Sequence, residues 1–163
     1  MKAKKYRLET VLGIRQRTRD EAARQVALRL QLLQAAEEEL TIRQRRLQGC
    51  YEQQNKAQTA MSEELNRGIQ ARGVLAHQNF LNDLRALETQ LQADVERQIQ
   101  AVAKAEKELE AARAKLIETA RELKSIEAHK ENWQASQTKE HNRREQKISD
   151  EIGTILYGRR ENS

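Results

Sequence analysis

Proline is absent from this chain of 163 residues, and aromatic residues make up only 3% of it. Average usage predicts about eight prolines in a chain of this length. Their absence removes the commonest cause of helix breaks and kinks. Few bulky side chains, combined with 34% charged residues, argue against a compact globular core. The composition therefore favours long helices that pack along a narrow stripe.

Cysteine is nearly absent too, because Cys50 is the only one. This excludes an intrachain disulfide and a cysteine metal cluster, and it fits a reducing compartment. The chain starts with positive charge, but Glu9, Thr10 and Arg15 interrupt the apolar stretch that a signal peptide requires. No segment approaches the roughly 20 apolar residues that span a bilayer. We expect a soluble, cytoplasmic protein.

The clearest pattern in the sequence is a heptad stripe in the second half of the chain. Steps of three and four residues give sixteen positions, of which twelve are apolar, and the residues between them are mostly Glu, Lys, Arg, Gln and Ala. Such a narrow stripe is typical of a coiled coil. The sixteen positions are Leu81, Leu84, Glu88, Leu91, Val95, Gln98, Val102, Ala105, Leu109, Ala112, Leu116, Thr119, Leu123, Ile126, Lys130 and Trp133.

A second, weaker stripe precedes it. Nine of its thirteen positions are apolar or aromatic, and Gly49 lies within it. The predicted positions are Ala23, Val26, Leu30, Leu33, Glu37, Leu40, Gln44, Leu47, Tyr51, Gln54, Gln58, Met61 and Leu65.

The two stripes are separated by the best helix-terminating signal in the chain, Asn66 followed by Gly68 and Gly73. A short turn here makes the two helices antiparallel neighbours. We predict one all-α domain over residues 1–163, an elongated antiparallel two-helix coiled-coil hairpin. Helix 1 is expected at about 5–66, the turn at about 67–75 and helix 2 at about 76–157. Residues near 8 would then lie opposite residues near 135, which brings Leu8 and Leu12 close to Trp133.

Charge and apolar residues are unevenly distributed at the ends. Residues 1–24 carry eight Lys or Arg against three Asp or Glu, a net charge of +5. This indicates either an acidic partner at that end or a basic face that keeps the helix soluble. The last part of the chain has no partner within the predicted hairpin, and its apolar residues form a candidate docking surface. These residues are Ile148, Ile152, Ile155, Leu156 and Tyr157.

Catalytic and ligand-binding motifs are missing from the sequence. Gly68 and Gly73 have the spacing of a phosphate loop, but Val74 follows where lysine is required. The three histidines are scattered, and no pocket is expected to perturb the carboxylates. The aromatic residues are too dispersed to stack successive bases. We expect no enzyme activity, cofactor, metal, small-molecule substrate or nucleic acid.

Three groups of residues, in order along nearly the whole chain, resemble one family. The first is Leu8-Glu9-Thr10-Val11-Leu12 followed by Asp20-Glu21-Ala22-Ala23-Arg24. The second is Gly68-Ile69, with His77-Gln78-Asn79-Phe80-Leu81 and Leu84 after it, and the third is Asn142-Arg143-Arg144-Glu145-Gln146-Lys147 with Asp150-Glu151. The sequence resembles the FliJ-type flagellar export proteins.

The resemblance implies a stalk that acts by binding. Members of that family are antiparallel coiled coils that dock in the hexameric flagellar export ATPase and promote its assembly and activity. They also contact the membrane export gate and bind export chaperones. This chain would therefore be a cytoplasmic motility protein, peripherally associated with the inner membrane at the flagellar base.

The resemblance also assigns two sets of site residues. The gate-binding residues would be Phe80, Leu84, Leu87 and Leu91, with Tyr51 on the first helix; of these, Phe80 and Leu87 lie off the stripe. The end that enters the ATPase ring would carry Arg7, Leu8, Leu12, Arg15, Arg19, Arg143, Arg144, Gln146 and Asp150.

Two alternatives remain open from the sequence. The equivalent stalk of a virulence-type secretion system shares the same architecture. A generic coiled-coil scaffold that self-associates would share the same heptad stripes.

Overall fold

The computed structural model describes residues 4–161 and contains two long helices. Helix α1 spans Glu9–Asn66 and helix α2 spans Ala71–Glu161, with no strand among the described residues. The helices pack against each other, which confirms the predicted all-α helical hairpin. Neither helix has a segment long and apolar enough to cross a membrane.

The chain divides into two units. The first contains the described residues up to Ala23 and those from Lys115 onwards, and its buried residues are Tyr6, Leu12, Ala22, Thr119 and Leu123. The second is Arg24–Ala114, and its buried residues are Cys50, Ala57, Leu81, Leu84, Gln98 and Leu109.

Cross-helix contacts in each unit show the antiparallel arrangement. In the first unit, Glu9 Oε2 lies 2.9 Å from Lys130 Nζ, and Arg15 forms an ion pair with Glu122. In the second, Arg29 Nη1 donates to Glu108 Oε2 at 2.8 Å and Gln54 Nε2 donates to Glu88 Oε2 at 2.7 Å. Residue numbers rise along α1 as those of their partners fall along α2.

The heptad stripe predicted on α2 is confirmed in full. All sixteen positions are buried or half-buried, and the pattern continues to Gln137. Two buried members are polar and both form hydrogen bonds: Gln98 Nε2 donates to the carbonyl of Ala36 at 2.8 Å, and Thr119 Oγ1 donates to the carbonyl of Leu116 at 3.0 Å. These bonds offset the cost of removing the polar groups from water.

The stripe predicted on α1 is half wrong. Seven of the thirteen positions are half-buried as expected: Val26, Leu33, Leu40, Leu47, Tyr51, Gln54 and Met61. The alternate positions Ala23, Leu30, Glu37, Gln44, Gln58 and Leu65 are exposed. Five residues that each directly precede one of these exposed positions face α2 instead: Ala22, Arg29, Ala36, Arg43 and Ala57. Cys50 is buried as well, beside half-buried Tyr51.

The predicted α1 positions are partly wrong because large apolar side chains were assumed to be the ones that face α2. Leu30 is a stronger hydrophobic signal than Arg29, yet Leu30 is 40% exposed. Alanine and cysteine occupy little volume, and the distance between packed helices depends on the side chains at their contact. Arginine can cover apolar surface with its stem while its guanidinium reaches solvent or a carboxylate.

The turn is shorter than the predicted 67–75. Gly68, with φ of 83°, ends α1, and its N–H donates to the carbonyl of Leu65 while that of Ile69 donates to the carbonyl of Glu64. This is the Schellman arrangement, in which glycine takes the left-handed conformation at low cost. The N–H of Gly73 already donates to the carbonyl of Gln70, so α2 starts at Ala71 and not near 76.

Gly73 therefore has a different role from the one expected. It lies inside α2, where an added Cβ would come within 2.5 Å of Ile69 Cδ1. The close contact with the end of the Ile69 side chain, and not a special backbone conformation, favours glycine there, since a larger residue would displace that side chain. The short turn also changes the pairing, since Glu9 contacts Lys130 whereas residues near 8 were expected opposite residues near 135.

The two ends of the chain also differ from the predicted bounds. Helix α1 begins at Glu9 and not near 5, because Lys4–Tyr6 are non-helical and Tyr6 is buried against α2. Helix α2 continues to Glu161 and not to about 157. From residue 138 to residue 161 every residue is exposed, and we call this segment the tail.

Candidate binding surfaces

Three rings meet where the N-terminal segment crosses α2. Tyr6 is 7% exposed, and its hydroxyl shares a hydrogen bond of 2.6 Å with His129 Nδ1. Its ring centroid lies 5.3 Å from that of Trp133, with the planes tilted by 50°, and 5.7 Å from that of His129. These separations and tilts lie in the favourable range for aromatic pairs. We call this cluster of Tyr6, His129 and Trp133 the Tyr6 clamp.

A groove with a basic rim lies beside the clamp. Its lining consists of Lys4, Lys5, Tyr6, Arg7, Leu8, His129, Trp133 and Gln137. Lys4, Lys5 and Arg7 are exposed, and no carboxylate side chain is part of this lining. The neighbouring Glu9 carboxylate is held by Lys130. We call this the N-terminal groove, and its rim favours negatively charged ligands.

The residues predicted to bind an ATPase ring occupy different environments on α1. Arg7 is exposed and Leu8 half-buried, and both line the N-terminal groove. Leu12 is only 6% exposed, so it stabilises the helix interface and is not free to contact a partner. Arg15 pairs with Glu122, and Arg19 Nη2 lies 2.8 Å from the carboxylate of Asp20.

The predicted ring-binding residues of the tail are all exposed. They are Arg143, Arg144, Gln146 and Asp150, and Arg144 forms an ion pair with Glu140 one turn away. The tail also exposes a row of apolar side chains, Ile148, Ile152, Ile155, Leu156 and Tyr157, which are 53–69% exposed. This apolar row was predicted from the sequence as a candidate docking surface, and its exposure makes it available to a partner.

The second candidate surface centres on Phe80 and Leu87. Phe80 is 51% exposed and Leu87 is 40% exposed. They are seven residues apart, which is close to two helical turns, so both project from the same side of α2. We call this pair the Phe80 surface.

Two other residues predicted for this surface lie in the helix interface instead. Leu84 is 5% exposed and forms a buried cluster with Ala57 and Leu81, against which Met61 packs. Leu91 is half-buried at its stripe position. The prediction that Leu84 contacts a partner is therefore wrong for the folded hairpin, because its side chain is enclosed between the helices.

Tyr51, the predicted α1 member of this surface, takes part in a polar network. Its hydroxyl accepts a hydrogen bond from Gln92 Nε2 at 3.0 Å, and Gln92 also donates to Glu88 Oε1 at 3.1 Å. Gln54 donates to the other oxygen of the Glu88 carboxylate at 2.7 Å. The network was not predicted, although Gln54 and Glu88, two polar residues at stripe positions, were a signal for it.

Cys50 is buried in the same region, at 3% exposed, and its thiol donates to the carbonyl of Leu84 at 3.4 Å. Within residues 4–161 no group of three or more His, Cys, Asp or Glu side chains lies close enough together to hold a metal ion.

Comparisons with known proteins give one consistent result. A family model described as YscO-like protein matches residues 3–163. A solved structure, described as a candidate YscO homologue, CT670, from Chlamydia trachomatis, is similar with a TM-score of 0.82. The two chains are 26% identical, and the similarity covers 99% of each. None of the curated proteins matches the chain.

Proposed function

The chain belongs to the YscO-like family, and we propose on that basis that it is a stalk protein of a type III secretion system. The family match over residues 3–163 carries this proposal, because it includes both helices and both candidate surfaces. The protein would act by binding and not by catalysis.

We propose that the end with both termini binds the hexameric ATPase of the secretion system and promotes its assembly and activity. The basic N-terminal groove supports this, since Lys4, Lys5 and Arg7 are exposed and suited to an acidic surface. The exposed apolar row of the tail supports it as well, because such a row fits a helix-binding groove through anchors one turn apart.

We propose that the Phe80 surface contacts the membrane export gate. The hairpin would then link the ATPase to the periphery of the membrane, on its cytoplasmic side. An exposed phenylalanine beside an exposed leucine supports this role, because aromatic anchors dominate the binding energy of many interfaces. Binding of export chaperones belongs to the same proposal, with no surface assigned to it.

A separate question is whether the secretion system is flagellar or virulence-type. The motif resemblance to FliJ-type proteins predicts a flagellar system, whereas the matched family is YscO-like. The flagellar assignment is not confirmed, and the family match favours the alternative, the stalk of a virulence-type secretion system.

The test is ATP hydrolysis by purified export ATPases, with and without this protein, together with sizing of the hexamer. Both the flagellar and the virulence-type ATPase of the source organism are assayed in parallel. We expect stimulation of the virulence-type enzyme, and its loss when residues 4–8 or 138–163 are removed. Stimulation of the flagellar enzyme alone would restore the flagellar assignment. Stimulation of neither, by a chain with intact helicity, would contradict the stalk proposal.

A further inference from the structure

The segment before α1 is held in place by a side chain that sequence patterns do not reveal. Tyr6 lies three residues before the first helical residue and outside the heptad stripes. Even so, it is 7% exposed, similar to the interface residues Leu81 and Ala57, which are each 8% exposed. Its hydroxyl bonds to His129 and its ring packs on Trp133. A buried tyrosine with both its ring and its hydroxyl partnered is strongly constrained.

The neighbours of Tyr6 point to what this constraint achieves. Lys5 and Arg7 flank it directly, Lys4 comes one residue earlier, and all three are exposed. Long basic side chains on a non-helical segment normally move freely, and ordering them on binding has an entropic cost. Because Tyr6 is clamped to α2, the backbone that carries the three cations is already ordered before any partner arrives.

We propose that Tyr6 is a positioning residue, which holds Lys4, Lys5 and Arg7 over α2 as a preformed site for an acidic peptide segment of a partner protein. The site is the N-terminal groove, whose lining includes three cations and no carboxylate. A peptide suits it better than a nucleic acid, because Tyr6 is buried and its ring is not available for bases to stack on. That the partner is the secretion ATPase rests on the proposed function. That the groove binds an acidic peptide rests on its three cations alone.

The test combines three measurements on the full chain. Hydrogen exchange reports the order of the segment where it joins α1, because the Glu9 N–H donates to the carbonyl of Tyr6 at 3.3 Å. Fluorescence reports the surroundings of Trp133, which is the only tryptophan in the sequence. Anisotropy measures the affinity for a labelled peptide of about ten glutamates, at several salt concentrations. The wild type is expected to bind the peptide with an affinity that falls as salt increases.

Tyr6→Ala is expected to keep the helicity of the protein, to remove the exchange protection of the Glu9 amide and to shift Trp133 emission to longer wavelength. The affinity for the peptide should fall by about tenfold or more, because the segment must then be ordered on binding. Tyr6→Phe keeps the ring contact and loses the hydroxyl, so we expect an intermediate loss.

The matched control is Ile42→Ala, since Ile42 is 42% exposed and belongs neither to the clamp nor to any of the candidate binding surfaces. It should change none of the three measurements. The proposal is overturned if the wild type does not bind the peptide, or if Tyr6→Ala binds it as tightly as the wild type. Equal losses in Tyr6→Ala and Ile42→Ala, or tighter Tyr6-dependent binding of a single-stranded DNA of equal charge, would overturn it too. Failure to stimulate an ATPase would contradict the proposed function and leave these results unaffected.

Discussion

Two arginines occupy positions on α1 that face α2, where a coiled coil normally places apolar residues. Arg29 pairs with Glu108 at 2.8 Å, and Arg43 donates to the carbonyl of Asp94 at 3.0 Å. The Arg29 and Glu108 side chains are 37% and 39% exposed, so their ion pair contributes about 0–1 kcal/mol. The arginines therefore stabilise the interface chiefly by covering apolar surface with their stems.

Burial distinguishes two apolar residues that lie close together on α2. Leu109 is 4% exposed and Ile117 is 55% exposed. We predict that Leu109→Asp destabilises the protein by about 4 kcal/mol or more, because it places an unpaired charge between the helices. The control Ile117→Asp should change stability by about 0.5 kcal/mol or less. Denaturant unfolding followed by circular dichroism measures both, and equal effects would contradict the assignment of Leu109 to the interface.

The Phe80 surface gives a second prediction at single residues. Phe80→Ala should leave the free energy of unfolding within about 0.5 kcal/mol of the wild type, because its side chain is half exposed. It should weaken binding to the cytoplasmic part of the export gate protein, measured by calorimetry.

Leu84→Ala is the matched control for Phe80→Ala. It should cost about 2–5 kcal/mol of stability, because Leu84 is buried between the helices. A large stability loss in Phe80→Ala would show that Phe80 belongs to the core and not to a binding surface.

At the scale of elements, the end of α1 depends on one backbone conformation. Gly68 has φ of 83°, in the left-handed region where a Cβ is unfavourable. Gly49 lies inside α1, with no atom within 4 Å of an added Cβ. The two glycines therefore differ in what alanine would do.

We predict opposite effects for these substitutions. Gly68→Ala should destabilise the hairpin by about 1–2 kcal/mol through backbone strain. Gly49→Ala should stabilise it by about 1 kcal/mol, because alanine has the higher helix propensity. Thermal unfolding of both variants provides the comparison. A stabilising Gly68→Ala would mean that the turn adopts a different conformation.

The tail is the part of α2 that contributes least to the packed helices. Residues 138–161 are all exposed, whereas Leu123 is 3% exposed. We predict that removing residues 138–163 lowers the helical signal but changes the stability of the remainder by about 0.5 kcal/mol or less.

A longer truncation that also removes residues 123–137 should lower the stability by several kcal/mol. It takes away Leu123 from the interface and two members of the Tyr6 clamp. If the short truncation were as damaging as the long one, the tail would have to contact the hairpin.

At the scale of the whole molecule, the hairpin covers the heptad stripe of α2 with the residues of α1 that face it. Each helix supplies the other with a partner within one chain, so a second copy is not needed to cover these residues. We predict a monomer with the mass of a single chain, 18.9 kDa, in sedimentation equilibrium. The mass should not change with protein concentration. A mass that rises towards that of a dimer would favour the self-associating scaffold, and Ile152→Lys would show whether the tail causes it.

Much of this fold was evident from the sequence alone. The absence of proline, the turn signal at Gly68 and the sixteen positions of α2 predicted the hairpin, and all sixteen are buried or half-buried. The α2 stripe was readable because leucine, isoleucine and valine recur at heptad spacing, and large apolar side chains must be covered wherever the second helix lies. Exposure of Phe80 followed from the same pattern, since it lies off the stripe, directly before its first position, Leu81.

Only the tertiary structure decided which residues of α1 oppose that stripe. Ala22, Ala36, Cys50 and Ala57 are small, and their burial depends on how closely α2 approaches, which hydropathy does not encode. The burial of Tyr6 likewise depends on His129 and Trp133, more than 120 residues away in sequence. Sequence periodicity reports what one helix must bury, whereas register and long-range contacts are properties of the pair.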